Sequence, residues 1–488
     1  MITVLVDLIT ETQRPPNLVS PSAYDTAWVA RLGAIDSVLA TQSLDWLRRH
    51  QLEDGSWGAK QLYYFYDRLL CTLAATIALV EQGEEQDQPS IQRAQIALET
   101  MLQNLKFNPY ETIGFEMIIP TLMSQALEMG IIQEQPSGFP ARWAKQRIRK
   151  LAQLPDEMID RSITLAFSSE MTGPENLHLL NAENLQEANG SVACSPAATA
   201  FFALHIDPNK AALGYLHEIA NDGAVPCISP IDTFEAAWLL WDLALIGPLD
   251  DELLNSCRPY LDFLEEEWQP GKGIASSTHL TPIDSDATSV IYDVLTRFGR
   301  SVDIDAVLRF EDDDYFRCFA TEVNPSTSAN IHVLGALRLG GFEAQHPTVQ
   351  KVVRFLQDTQ ITHTYWLCKW HTSPYYTTSH AIINAAGYID ADWVDDAVDW
   401  MLETQNINGS WGYHLPTVEE TAYCLQALAI WKRHGGQVFD SALKLGAAWI
   451  AKHSALPYVP LWIGKCLYCP TLVVHSAVLS ALALVQQG

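Results

Sequence analysis

Apolar residues recur at helical spacing through most of the chain. DRLLCTLAATIALVEQG (67–83), FEAAWLLWDLALIG (234–247), TAYCLQALAIWKRHGG (421–436) and HSAVLSALALVQQG (475–488) each read as a helix that closes on glycine. The polar–apolar alternation of half-buried strands is nearly absent. The pattern predicts an all-α fold.

One turn signature recurs between the helical stretches: QLEDGSWG from Gln51, QEANGSVAC from Gln186 and QNINGSWG from Gln405. The Asp-Gly or Asn-Gly step ends each preceding helix, because those residues tolerate a left-handed backbone. The intervals are too long for a simple solenoid. They fit one kind of corner used in two large helical barrels, with a stabilising rather than catalytic part.

Size and composition narrow the picture. A chain of 488 residues, 48% apolar and 18% charged, can bury more than one core and is not disordered. The 30 Lys and Arg against 58 Asp and Glu give a net charge of −28, which argues against a nucleic-acid partner. An anionic substrate would need local cations. The N-terminal MITVLVDLITETQRPP lacks a basic lead and is interrupted by acids, so it does not read as a signal peptide. No window approaches the roughly 18 uninterrupted apolar residues of a membrane span. The nine scattered cysteines read as free thiols. Cys466 and Cys469 form a lone CxxC for which packing is the default. The expectation is a soluble, cytoplasmic protein with no integral membrane segment.

Candidate chemistry starts at PIDSDATSV (282–290), where Asp284 and Asp286 precede an apolar run. By spacing alone such a pair is a solvated helix start. Other stretches change that reading. The corners, with SAYDTAWVA (22–30), DRLLCTLA (67–74), NGSVACSPAATAFFAL (189–204) and WIGKCLY (462–468), resemble the class II diterpene cyclases. That family includes plant copalyl diphosphate synthases. The similarity is closer to bacterial halimadienyl (tuberculosinyl) and kolavenyl diphosphate synthases, and it runs from about residue 20 to the C-terminus. It implies two α/α barrels, called β and γ, with the active site between them. The β domain would comprise 1–29 and 261–488, and the inserted γ domain 30–260.

The resemblance also implies roles. The family's DxDD acid motif reads Asp284-Ser285-Asp286-Ala287 here, with Asp286 as the alkene-protonating acid and Asp284 as its partner. A helix N-terminus makes a carboxylic acid more acidic, and a neighbouring carboxylate opposes loss of both protons. His332, in NIHVLGALRLGG (330–341), falls where the family places a hydrogen-bonding partner for the acid. Lys150 and Lys369 match diphosphate-binding lysines. Magnesium is the expected cofactor, and NLKFNPYETIGFE (104–116) offers only Glu111 and Glu116 as ligands. Among 15 Trp, 17 Tyr and 16 Phe, Trp238, Tyr376 and Trp462 occur in family-like stretches and could face carbocations. Plant copalyl enzymes hold a water with a His and an Asn; Phe167 and Cys227 stand at those positions here.

Two acidic runs are decoys. DDAVD (395–399) spells a class I magnesium motif without its companion, and FEDDDYF (310–316) reads as surface. The expected activity is protonation-initiated cyclisation of geranylgeranyl diphosphate to a bicyclic, rearranged diterpenyl diphosphate of halimadienyl or kolavenyl type. The product would pass to a class I terpene synthase or a phosphatase. A triterpene cyclase, an α/α-barrel glycosidase using Asp286 and a second acid, and a non-catalytic helical scaffold are the alternatives.

Overall fold

The computed structural model describes residues 18–133, 139–322, 324–389 and 392–487. The N-terminal stretch weighed above as a signal peptide lies outside them. Helices dominate, and among the described residues the one strand pair is Trp462–Ile463 with Leu467–Tyr468, antiparallel. No helix among them is long and apolar enough to cross a membrane.

Six helices close a ring: Asp232–Ile246, Ser285–Arg297, Thr327–Leu339, Pro374–Ala385, Val418–Arg433 and Thr471–Gln487, each packed on the next and the last on the first. They can sit inside because they are apolar nearly all round; Pro374–Ala385 buries every residue. Outer helices such as Pro347–Thr359 bury a single face, here Val349, Val352, Val353, Phe355 and Leu356. A second, smaller ring joins Ala23–Ala30, Phe65–Gln82, Phe115–Glu128, the 3₁₀ segment Thr164–Thr172 and Pro196–His205. Two α/α barrels result, each around its own apolar core.

The cores divide the chain elsewhere than expected. One gathers residues 23–227 with Leu461, Ile463, Cys466 and Leu467; the other runs from Ala236 to Leu484. The boundary therefore falls near 230 rather than 260, because Asp232–Ile246 is needed to close the six-helix ring. Ala23–Ala30, assigned above to the domain of 261–488, instead packs against Phe65–Gln82 and Pro196–His205 in the smaller barrel.

The recurrent corners act as fasteners. Gln51 Nε2 donates to the carbonyls of Gly55 and Ser90, both at 2.9 Å, and Trp57 Nε1 donates to Leu47 O at 2.9 Å. Gln405 repeats this with Gly409 and Ala442, and Trp411 with Met401. Gly55 (φ 85°) must be glycine, since a Cβ there would lie 2.5 Å from Arg93 O of the next outer helix. A further indole of this kind, Trp366, donates to Leu356 O at 2.7 Å. Its turn uses left-handed Thr362 and His363 in place of glycine, so no motif announced it.

The strand pair latches the barrels together. Between its strands, Lys465 enters the smaller barrel and loses all exposure. Its Nζ donates to Glu170 Oε1 (2.6 Å), Ser195 Oγ (2.5 Å) and Phe167 O (3.0 Å), and Tyr24 OH donates to the same Glu170 oxygen (2.8 Å). Removing one member of such a pair strands a buried charge, at about 3–5 kcal/mol. Lys465→Met should therefore lower the urea midpoint sharply. The double change Lys465→Met with Glu170→Leu should recover most of the loss.

Candidate active site

An apolar cavity lies between the barrels. Ile113 and Phe167 of the smaller barrel face Phe234, Trp238, Trp370 and Trp462 of the larger. Asp284 and Asp286 are the only charged groups among its lining residues. Both come from the start of Ser285–Arg297, but with different tasks. Asp284 is the N-cap, and its Oδ1 accepts the Ala287 N–H at 2.7 Å. It is buried, and burial raises its carboxyl to about 7; the charge of Asp286 adds, and the Ala287 N–H opposes. Asp286, in the first turn, is partly exposed to the cavity.

The polar support of Asp286 comes from behind the wall. His332 Nδ1, on the Thr327–Leu339 helix, lies 2.5 Å from Asp286 Oδ1. His332 Nε2 lies 2.7 Å from His380 Nδ1, while His380 Nε2 is buried without a protein partner. Burial holds His380 well below the usual imidazole range, so it stays neutral. An unpaired ring nitrogen is cheaper to bury as a bare acceptor than as an N–H. That fixes the polarity: His380 Nδ1–H donates to His332, and His332 Nδ1–H donates to Asp286. Trp238 packs edge-on to His332 (5.6 Å) and Trp241 stacks on His380 (4.6 Å).

The structure thus brings Asp284, Asp286, Phe167, Trp238 and Trp462 to one wall, with His332 directly behind. Other expected residues lie elsewhere. Tyr376 is not in the wall; its ring is fully buried, stacked on His371 (4.9 Å) and tilted against His380 (4.4 Å). Cys227 is turned away as well, its Sγ close behind Gly464 and engaged with Cys466. Lys369 stands beside wall residue Trp370, its ammonium 5.0 Å over that ring, and is paired with Glu322. Burial lowers its pKa. Lys150 is half-exposed outside the wall and paired with Glu116.

Those pairings bear on magnesium. Lys150 holds one oxygen of Glu116, and Gln146 Nε2 donates to the other at 2.5 Å. Glu111 is exposed, and neither glutamate belongs to a group of three potential ligands among the described residues. Both Glu116 oxygens are thus already engaged by side-chain donors. Among the described residues the cluster with ligand-like spacing is Asp67, Cys71 and Cys466. It is satisfied internally: Ala59 and Leu467 N–H groups bond Asp67, and Ser22 bonds Cys466. Cys469 takes no part in it, which leaves CxxC a packing feature.

DDAVD lies on the outer helix Asp392–Glu403, with Asp395, Asp396 and Asp399 exposed and away from the cavity. Sequence reasoning missed His380, Phe234 and Trp370. It also missed the buried carboxylates Glu170 and Glu419, which stand behind the wall. The polar members meet partners far off in sequence: His380 meets His332 across 48 positions, Glu419 meets Trp462 across 43 and Glu170 meets Lys465 across 295.

Comparison with known proteins agrees with this arrangement. Residues 316–427 match the squalene-hopene cyclase C-terminal domain. A type B diterpene cyclase from Mycobacterium tuberculosis is 43% identical over 97% of both chains. The ent-copalyl diphosphate synthase of Streptomyces sp. (strain KO-3988) is 30% identical over 97% of this chain and 94% of its own. The structure of ent-copalyl diphosphate synthase from Streptomyces platensis, 29% identical, superposes with a TM-score of 0.83 over 99% of this chain and 98% of that one. The chain belongs to the class II diterpene cyclases.

Asp284 gives a pH test. Burial lifts its native carboxyl to about 7, whereas the unfolded one releases its proton near 3.8. Between these values the native state binds more protons, so this group's contribution to stability falls as pH rises. Asp284→Asn should remove that slope, up to about 1.4 kcal/mol per pH unit. Urea titrations of both proteins between pH 5 and 8 should show the variant gaining on the wild type. Parallel curves would contradict the burial of a titrating Asp284.

Proposed function

We propose that the protein cyclises geranylgeranyl diphosphate by protonating its terminal alkene, and releases a bicyclic diterpenyl diphosphate. The observation that carries this is Asp286, a carboxyl facing a largely apolar, aromatic cavity and hydrogen-bonded from behind by His332. Its proton passes to the CH carbon of the alkene, which leaves a tertiary cation and the Asp286 carboxylate. The His332 N–H stabilises that carboxylate, which strengthens the acid without placing a competing base in the cavity. Internal alkenes then attack in turn and close two rings, past ring faces that attract positive charge. Asp284, neutral below about pH 7, adds no second anion there.

In this reading Lys369 and Lys150 hold the diphosphate by exchanging Glu322 and Glu116 for a more highly charged oxyanion. Among the described residues Glu111 and Glu116 are the carboxylates that would share magnesium with the substrate's diphosphate, and no step is routed through it. The product keeps its diphosphate and suits a downstream class I synthase or phosphatase. Its skeleton follows from the wall near Phe167. A phenyl ring can steady a passing cation but cannot take its proton, and Cys227 is out of reach behind Gly464. The charge then migrates by hydride and methyl shifts and is discharged by loss of a proton to water away from Phe167, which favours a halimadane or clerodane diphosphate over a copalyl one.

Asp286→Asn should abolish turnover, by 10³-fold or more, while thermal unfolding stays close to wild type; retained activity would exclude Asp286 as the acid. Asp284→Asn should be impaired less completely. Wild-type product, dephosphorylated and analysed by NMR, should show a rearranged decalin, and copalol as the main product would contradict the account of Phe167. Changing Asp395 and Asp396 together to Ala should leave activity near wild type, with no pyrophosphate released in step with product.

A further inference from the structure

A buried carboxylate stands behind the cavity wall with no part in the steps above. Glu419 lies in the first turn of Val418–Arg433 and is 1% exposed. Three donors converge on its Oε1: Trp462 Nε1 at 2.8 Å, Tyr423 OH at 3.1 Å and His371 Nε2 at 3.2 Å. Its Oε2 has no protein partner. Three donors and a helix N-terminus are the partners that a carboxylate accepts.

His371 does not cancel the charge. Its Nδ1 lies 3.1 Å from the Ser373 backbone N–H and 3.3 Å from the Ser373 carbonyl oxygen; the N–H contact is the shorter, and with Nδ1 accepting there, Nε2–H is the donor to Glu419. Lys369 and Lys465, the nearest lysines in sequence to His371 and Trp462, are taken by Glu322 and Glu170. A net negative charge is therefore held in the barrel interior, and its strongest bond runs to the indole of Trp462. That indole forms cavity wall, edge-on to Phe234 at 5.3 Å.

From this geometry we infer that Glu419 is the fixed counter-charge of the migrating carbocation, acting through Trp462. This rests on the cyclisation proposed above. An indole whose N–H donates to a carboxylate presents a more electron-rich face to the cavity. Neither Glu419 oxygen lines the cavity, so the anion draws the cation without being able to take its proton. Glu419 is thus a positioning residue: it prolongs the cation near Trp462 and favours rearrangement over early proton loss.

The test uses the full-length protein with geranylgeranyl diphosphate, reading kcat, KM and the product spectrum after dephosphorylation. Glu419→Gln keeps the shape and an accepting oxygen but removes the charge. It should lower kcat at least tenfold with KM within threefold, and shift product towards skeletons that lost their proton earlier. Trp462→Phe should shift product the same way, and adding Glu419→Gln to it should change kcat by less than threefold further. Replacing Trp462 with 3-benzothienylalanine keeps the bicyclic ring and deletes only the N–H donor. It should reproduce the product shift even where Glu419→Gln fails to fold. Wild-type kcat and products in Glu419→Gln, additive losses in the double variant, or an unchanged spectrum with benzothienylalanine would each overturn the inference while leaving the cyclisation intact. A wild type that forms no cyclic diphosphate would overturn both.

Discussion

An acid that protonates an alkene must keep its proton in a dry cavity and release it to carbon, among the weakest bases in chemistry. In the proposed cyclisation the short bond between His332 and Asp286 serves the release, by stabilising the carboxylate left behind. Support reaches Asp286 only from the barrel interior, through His332 and then His380, so the cavity face stays apolar. A base placed in the cavity would quench the cation at once. Neutral His380 sets the donor direction without adding a cation that would repel the one being formed.

The same separation of polar support from apolar surface recurs around the cavity. Lys465 and Glu170 are an ion pair with no exposure, yet the surface nearby is the ring of Phe167. Glu419 is screened by the indole of Trp462. Both depend on the strand pair 462–468, which sets Trp462 in the larger barrel's core and carries Lys465 into the smaller one. Neither barrel alone completes the wall. The latch that fastens the domains also shapes the reaction chamber.

Much of the fold was legible because helical periodicity and the Gln51 and Gln405 corners are local patterns. The boundary was not, since apolar spacing says that Asp232–Ile246 is buried all round but not in which barrel. The place of Asp284 and Asp286 at the cavity was legible by order and resemblance, and so was that of Phe167, Trp238 and Trp462 in its wall and of His332 behind it. What spacing could not give was direction: Tyr376 and Cys227 lie close in sequence to wall residues, yet their side chains turn inward to His371 and Cys466. The lysines were found but not their glutamate partners. Lys465 and Glu170 meet across 295 positions, and such contacts leave no trace in a single sequence.

The central claim is that a proton from Asp286, ultimately from solvent, becomes part of the product's carbon skeleton while the diphosphate is retained. Equilibrating the protein in D2O, adding geranylgeranyl diphosphate and examining the dephosphorylated product by NMR and mass spectrometry tests it directly. The account predicts one deuterium per molecule, bound at the ring methylene formed from the terminal alkene CH, with no pyrophosphate released. A cyclic product free of deuterium at that carbon, or pyrophosphate formed in step with product, would contradict it.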